Sequence, residues 1–348
     1  MSESIDTVVV GAGQAGLAMG RELAMRGGGF AILDERAAVG DVWRARWESL
    51  RLFTPAAHSA LPGMPFPGPA ARFPTRSEAA DYFAAYAARF GLPIRQGAAV
   101  ERVSAGSDGF LLDTTAGPLT ARRVVIAVGS NQHPMIPGFS RDLDPGIAQL
   151  HSAEYRAPAS VGRGPVLVVG AGTSGMQLAI ELADTHPVTI AGRPTAHVPD
   201  VVLRRAPAAY WAFANSVLTR STPIGRKVAG VFHDRGAPLI GISVRDLDRA
   251  GVRRVGRIAA VASGRPVSEG GEPIETETVL WATGYRPDFS WIDGIAVDGH
   301  GWPITRRGVV EGMPGLYFLG LPFQYALTSG LIGGVGRDAA YLAAAMER

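Results

Sequence analysis

The sequence predicts an α/β fold of two parallel-sheet domains with one architecture, the second inserted in the first. Three observations predict it. A buried-strand pattern, Val8 to Val10, runs into Gly11-Ala12-Gly13-Gln14-Ala15-Gly16 and then into a helical pattern. The same succession returns at 166–183, around Gly170-Ala171-Gly172-Thr173-Ser174-Gly175, and residues 10–24 aligned with 169–183 give 8 identities in 15 positions. A second landmark, Val124-Val125-Ile126-Ala127-Val128-Gly129, is echoed by Val279-Leu280-Trp281-Ala282-Thr283-Gly284. It lies 116 residues after Gly11 (to Ala127), and its echo lies 112 after Gly170 (to Ala282). A fixed succession at a fixed spacing is the mark of a duplicated unit.

The elements follow in order. The apolar run 8–10 reads as a buried parallel strand. After the turn come a helix over 17–25 and a strand over 30–33 ending at Asp34, which together make a βαβ unit. The loop 40–68 is long, rich in Pro and Gly, and carries Trp43, Trp47, Phe53 and Phe66. Loops of that length inside compact domains are functional or disordered, and the aromatic content argues against disorder. Residues 77–90 place Ala79, Tyr82, Phe83, Tyr86 and Phe90 at helical spacing. In the second unit a strand over 166–169, a helix over 176–183 and a strand over 188–191 lead to Arg193. An apolar insertion follows at 204–232. A strand over 315–320, a Gly-rich turn and a helix from about 334 to 346 end the chain. The organisation expected is a first domain begun by 1–157, an inserted domain of 158–284, and a return to the first over 285–348.

Composition narrows the chemistry. A chain of 348 residues, 47% of them hydrophobic, suits two domains with substantial cores. With 34 basic and 31 acidic residues and no Lys/Arg block, no nucleic-acid partner is expected. There is no cysteine. Structural disulfides, thiolate metal sites, cysteine nucleophiles and a Cys-x-x-Cys redox pair are therefore excluded, and no metal site is expected. Residues 1–7 are polar and show no signal-peptide pattern. No apolar run approaches the roughly 18–20 residues of a membrane span, so the cytoplasm is the expected location.

Each Gly-x-Gly-x-x-Gly stands between a buried strand and a helix, the context that gives the pattern its meaning. Gly11 and Gly170 permit the tight turn. Gly13 and Gly172 let a pyrophosphate approach the backbone, and Gly16 and Gly175 let helix and strand pack closely. The helix start then offers N–H groups and a positive dipole end to the phosphates. Both domains are thus Rossmann-like. The end of the second strand selects the nucleotide. Asp34, or Glu35 if the register shifts by one, accepts hydrogen bonds from ribose hydroxyls and repels a 2′-phosphate, which suits FAD or NAD. The equivalent place in the second unit holds no acid, and Arg193 suits the 2′-phosphate of NADP, unless it is an ordinary surface arginine.

With these residues in hand, the chain resembles the class B flavoprotein monooxygenases: flavin-containing, Baeyer–Villiger and indole-pyruvate monooxygenases, and above all their small bacterial FAD/NAD(P)-dependent relatives. The resemblance spans nearly the whole length. It rests on the two glycine turns, Gly40-Asp41-Val42-Trp43, the segments 50–55 and 61–67, His151-Ser152-Ala153-Glu154-Tyr155-Arg156, the segment 282–285 and the C-terminal 333–339. Two departures stand out. Val42 intervenes between Gly40-Asp41 and Trp43. Pro145 and Ile147 occupy slots where the family has Phe-x-Gly ahead of the His segment.

The resemblance implies the FAD/NAD(P)-binding two-domain fold and the cofactors FAD and NADPH. It places Gln14, Ala15, Gly40, Val42, Trp43, Leu52, Thr54, Val100, Ala127, Gly129, Gly320, Leu321 and Ser329 around FAD. Thr173, Ser174, Ala282, Thr283 and Gly284 fall around NADP. A helix start after Ser329 pointed at the flavin would stabilise charge on the reduced ring. His151 falls between the domains, to position NADP or simply to hold structure. Trp43 and Trp47 line the site or merely pack. The activity implied is an NADPH-consuming monooxygenase that forms a flavin C4a-peroxide and, with O2, oxygenates a small organic substrate, by N/S-oxygenation or a Baeyer–Villiger step. Two rivals share the nucleotide sites: an NADPH-dependent reductase or diaphorase without oxygen transfer, and a non-enzymatic redox sensor. Tyr210, Trp211, Phe213, Phe323 and Tyr325 suggest a hydrophobic or aromatic substrate, or else a domain interface or homodimer contact.

Overall fold

The structure, a computed structural model, describes residues 3–347; Met1, Ser2 and Arg348 lie outside the described residues. The first sheet is built on the strand Glu3–Val10, which pairs in parallel with Phe30–Asp34 on one side and Leu119–Ile126 on the other. Ile94–Gln96 extends it beyond Phe30–Asp34. An antiparallel hairpin, Val100–Gly106 with Gly109–Thr114, leans on the first half of Leu119–Ile126. The second half of that strand takes Leu316–Phe318 in parallel, so the chain returns here after a long excursion.

The excursion forms a second, wholly parallel sheet in the order Arg253–Val255, Val188–Ala191, Val166–Val169, Thr278–Trp281, Ala148–His151. Ala148–His151 is thus an edge strand of the second sheet, although it precedes residue 158. Where the chain leaves the first sheet and where it comes back, His133–Pro134 and Tyr285–Arg286 pair antiparallel.

The sequence fixes local structure for ordinary reasons. Val8, Val9, Ile32, Leu33, Val124, Val125, Leu167, Val168, Val279 and Leu280 are almost fully buried, as central strands covered on both faces require. The helices Gln14–Arg26 and Thr173–Ala183 begin immediately after their middle glycines, three residues earlier than the sequence pattern predicts. Polar first turns carry no hydrophobic periodicity to mark them. Helix Arg76–Arg89 starts with a capping box, Thr75 accepting from the Glu78 N–H and Glu78 accepting from the Thr75 N–H. It buries Ala79, Tyr82, Phe83 and Tyr86, the stripe the sequence indicates. The Tyr82 and Tyr86 hydroxyls reach back to the carbonyls of Met64 and Pro62 at 2.6 and 2.8 Å. That anchors the long 40–68 loop to the helix. Burial pushes the Tyr82 hydroxyl up to about 12, so it stays a donor at neutral pH.

The insertion is helical: Asp200–Arg205, Pro207–Ser216 and Pro223–Arg235. It is sewn to the C-terminal part of the first unit. The Arg220 N–H donates to Tyr325 O (2.7 Å) and the Leu327 N–H to Leu218 O (3.0 Å). Among the described residues no helix is long and apolar enough to cross a membrane.

Candidate functional site: two glycine cradles and the hinge between them

The two glycine turns repeat one another in detail. Gly11 has φ +103° and Gly170 +112°, backbone that disfavours any side chain. A Cβ on Gly11 would lie 2.7 Å from the carbonyl oxygen of Ala127, and one on Gly170 2.3 Å from that of Ala282. This is why the 127 and 282 motifs accompany the turns. The Ala127 N–H donates to Val10 O and the Ala282 N–H to Val169 O, each at 2.8 Å, closing the strand ends over the glycines. A Cβ on Gly16 or Gly175 would sit 1.8 Å from the carbonyl of Gly11 or Gly170, so helix and turn touch.

The middle glycines behave in the opposite way. No atom lies within 4 Å of the Cβ position at Gly13 or Gly172. Each is the N-cap of a helix that has no side-chain cap and no acid in its first turn. The contrast is with Arg76–Arg89, whose N-terminus is closed by its own side chains. At both cradles the first-turn N–H groups remain for an anion, and the open space lies over them. Both cradles therefore fit a dinucleotide pyrophosphate.

At the end of strand Phe30–Asp34, Asp34 Oδ2 accepts the Ala12 N–H at 2.5 Å and Oδ1 the Arg36 N–H at 2.8 Å. The carboxylate thus reaches from the strand end to the cradle. Glu35 points away, exposed and paired with Arg36, so Asp34 is the acid at the cradle. Val100 opens the hairpin strand Val100–Gly106, and two residues ahead of it the Ala98 N–H donates to Asp34 O at 2.9 Å, which brings the start of the hairpin to the carboxyl end of Phe30–Asp34. In the second unit Gly192, at φ +134°, turns the chain after Ala191. Arg193 stands at the surface with its Nη2 3.2 Å from Glu269 Oε2. Thr173 and Ser174 lie on the first turn of their helix, Ser174 exposed.

The C-terminal segment meets the first cradle. A Cβ on Gly320 would fall 2.9 Å from Ala15 Cβ, and Gln14 Nε2 donates to Gly330 O at 3.2 Å. Gly129, with φ +78° and open space at its Cβ position, lies two residues after Ala127, whose carbonyl closes on Gly11. Leu321 is buried, its N–H held by Gln324 Oε1 at 3.2 Å. Ser329 is buried and its hydroxyl oxygen accepts the N–H groups of Tyr325 and Ala326, so it shapes the turn ahead of helix Val335–Ala345. Gln324 was not legible as a site residue. It also donates to Phe318 O at 3.0 Å and holds the strand end against the turn.

The loop residues divide. A Cβ on Gly40 would meet Ala80 O at 2.6 Å, so this glycine serves close packing on the helix. Val42 is exposed, and Trp43 is half-buried against Phe83 with ring centres 6.3 Å apart. Trp47 is a packing residue, 4% exposed in the core. Leu52 is buried. The Thr54 hydroxyl is taken up by that of Ser59 at 2.7 Å.

His151 sits where the crossing segments meet. The Ala153 N–H donates to its Nδ1 at 3.1 Å, leaving its hydrogen on Nε2, which faces Gly284 O at 3.0 Å. Its ring stands edge-on to Tyr285, whose hydroxyl accepts from Arg46 at 2.8 Å. The Thr283 hydroxyl donates to the Met135 carbonyl. Burial holds the His151 imidazole below its ordinary 6.5, so it is neutral at neutral pH. A lowered folded value means that its contribution to stability is complete above about pH 6.5 and is lost as pH falls toward the folded value. His58 is lowered for the same reason. The melting temperature should therefore drop between about pH 7.5 and about pH 5.5. In His151→Gln that drop should shrink but not vanish, since His58 remains. An unchanged pH dependence of the melting temperature would contradict this account of the imidazole.

Next to the C-terminal turn a cavity of about 90 Å³ is lined by His58, Ala60, Trp211, Asn215, Thr328 and Leu331, among others. His58 stacks on Trp211 at 5.1 Å. Asn215 Oδ1 accepts the Thr328 hydroxyl at 2.5 Å. Of the aromatic residues singled out in the sequence, Trp211 alone lines this cavity. Tyr210 packs on Trp211, Phe213 is exposed, Phe323 is buried against Phe232, and Tyr325 covers the Arg307 guanidinium.

Residues 8–206 match the pyridine nucleotide-disulphide oxidoreductase family. An uncharacterised CzcO-like oxidoreductase of Geobacillus kaustophilus is 38% identical over 98% of each chain. The rice indole-3-pyruvate monooxygenase YUCCA1 is 28% identical over 90% of this chain and 86% of its own. The solved structure of a flavin-containing monooxygenase from Stenotrophomonas maltophilia superposes with a TM-score of 0.81, at 27% identity over 99% of this chain and 98% of that one.

Proposed function

We propose that this chain, which belongs to the pyridine nucleotide-disulphide oxidoreductase family and is related to flavin-dependent monooxygenases, is an NADPH-dependent monooxygenase of a small organic substrate. The observation that carries this reading is the pair of cradles open at Gly13 and Gly172 in a chain without cysteine. The family's disulphide relay is closed to it, so electrons must leave from the flavin itself.

The cofactors are FAD and NADPH. Gly11, Gly13, Gln14, Ala15 and Gly16 would hold the FAD pyrophosphate, and Asp34 the adenosine ribose. Gly170, Gly172, Thr173, Ser174 and Gly175 would hold the NADPH pyrophosphate, and Arg193 its 2′-phosphate. When bound, the flavin supplies two-electron transfer: NADPH, H⁺, O2 and substrate become NADP⁺, water and the singly oxygenated product. The chain's own part is to orient and to keep water out. The N-terminus of helix Val335–Ala345 carries a positive dipole end and would face the flavin, with Gln324 and Ser329 shaping the turn ahead of it. His151, neutral and clamped to Gly284, would fix the crossing between the two sheets and so the distance between the cradles. The cavity at His58 and Trp211 would take the reacting end of a compact apolar or aromatic substrate, with the helical insertion as its roof.

The departure at Pro145 and Ile147 favours a second reading, a reductase that hands electrons to a quinone. Asp144 accepts the N–H groups of Gly146 and Ile147 and bonds to Gly264, so this stretch is committed to a turn on the second sheet. The test is NADPH oxidation under ¹⁸O2 with a panel of small thioethers, amines and ketones. Product carrying one labelled oxygen, with less hydrogen peroxide released per NADPH, supports the monooxygenase. Turnover with quinones alone and no labelled product supports the reductase. Arg193→Ala should raise the NADPH KM by about tenfold to a hundredfold, as loss of a charged hydrogen bond of about 1.5–3 kcal/mol implies, with the NADH KM little changed. Equal effects on both would remove Arg193 from this role.

A further inference from the structure

Arg193 is not a free cation. Its Nη2 lies 3.2 and 3.5 Å from the two carboxylate oxygens of Glu269. Glu269 directly follows the short strand Arg265–Ser268. Its N–H donates to Arg257 O at 2.7 Å, and a Cβ on Gly256 would lie 3.4 Å from Glu269 Cβ. The backbone thus holds Glu269 over the carboxyl end of strand Arg253–Val255. That strand is the sheet neighbour of Val188–Ala191, whose end carries Arg193. The next acid along, Glu272, is occupied by Arg253 at 2.5 Å. Two opposite charges therefore face each other across the carboxyl ends of adjacent parallel strands, where open α/β sheets receive nucleotides.

We propose that Glu269 is a specificity-determining residue for the nicotinamide cofactor: it occupies the guanidinium that an adenosine 2′-phosphate needs, and so narrows the preference for NADPH over NADH. The inference rests on the reading of Arg193 given above. Both partners are solvent-exposed, the side chains at 71% and 40%, and such a pair holds itself together only weakly. A phosphate, which pairs with arginine bidentately and more strongly, can displace the carboxylate. The displaced carboxylate then stays close to a dianion, tethered by its backbone hydrogen bond. Its effect on the two cofactors has opposite sign. It repels a 2′-phosphate, whereas it accepts a hydrogen bond from the free 2′-hydroxyl of NADH.

The experiment is calorimetric titration of the oxidised, FAD-loaded enzyme with NADP⁺ and with NAD⁺, for wild type, Glu269→Gln, Arg193→Ala and the double variant. Flavin content and melting temperature serve as the check of folding. Glu269→Gln should tighten NADP⁺ about tenfold, which is about 1.4 kcal/mol, without tightening NAD⁺. Arg193→Ala should weaken NADP⁺ alone. If Arg193→Ala weakens NADP⁺ selectively but Glu269→Gln leaves the ratio of the two affinities unchanged or shifts it toward NAD⁺, the role of Glu269 is overturned and that of Arg193 stands. If Arg193→Ala affects both cofactors alike, the assignment of Arg193 fails, and that of Glu269 with it.

Discussion

Gly13→Val should give a folded but colourless protein. The Gly13 backbone, at φ −76° and ψ −171°, is extended and open to any residue, and no protein atom lies within 4 Å of the Cβ position. The added Cβ therefore enters open space beyond its chain neighbours, and stability without cofactor should stay close to that of the wild-type apoprotein. It meets instead the space over the uncapped N–H groups of helix Gln14–Arg26. Losing two charged hydrogen bonds to a pyrophosphate corresponds to about 3–6 kcal/mol, a weakening of about 10² to 10⁴ in affinity. Purification without flavin, followed by an FAD titration read by absorbance and melting temperature, checks it. A variant that is purified fully yellow would displace FAD from this cradle. Gly16→Val is the contrast. With its Cβ 1.8 Å from Gly11 O the turn itself must move, so the protein should lose stability with or without flavin.

Gly172→Val should leave a yellow enzyme that NADPH no longer reduces. The same argument applies at the second cradle, since Gly172 is extended at φ −80° and its Cβ position is equally empty. FAD content should match wild type because Asp34, Gly11 and Gly13 are untouched. Anaerobic reduction by NADPH should slow by at least about 10²-fold at a fixed sub-saturating concentration, from the same loss of phosphate hydrogen bonds. Dithionite, which needs no nucleotide site, should bleach the flavin as in wild type. A variant that NADPH reduces at the normal rate would move the nicotinamide cofactor elsewhere.

What was legible in the sequence follows from the range of the forces involved. The glycine turns could be read because their constraints are steric and local: a positive φ at Gly11 and Gly170, a helix against a carbonyl at Gly16 and Gly175, an open face at Gly13 and Gly172. The companion motifs at 127 and 282 could be found because the repeat printed them twice. The choice between Asp34 and Glu35 could not be made from spacing, because neighbouring residues on a strand end point to opposite sides. The hydrogen bond from the Ala12 N–H shows that Asp34 is the one that reaches the cradle. The hairpin over 100–114 carries no legible pattern, since strands exposed on one face alternate too briefly to stand out. The edge strand Ala148–His151 reads with the chain before it but pairs with the sheet after it, and only the register Trp281 to His151 reveals that. Glu269 lies 76 residues from Arg193, and no pattern within either segment announces the pair. Aromatic content overstated the pocket: Phe213 is exposed, while Tyr325 and Tyr341 both spend their faces on the Arg307 guanidinium, each ring centre 4.0 Å away.

The central claim is that two cradles of one geometry hold two different dinucleotides, and an anaerobic titration tests it most directly. The purified protein, reconstituted with FAD and freed of excess, should carry one flavin per chain and be bleached by one equivalent of NADPH. A polypeptide that binds no flavin and whose melting temperature does not rise when FAD is added would contradict it.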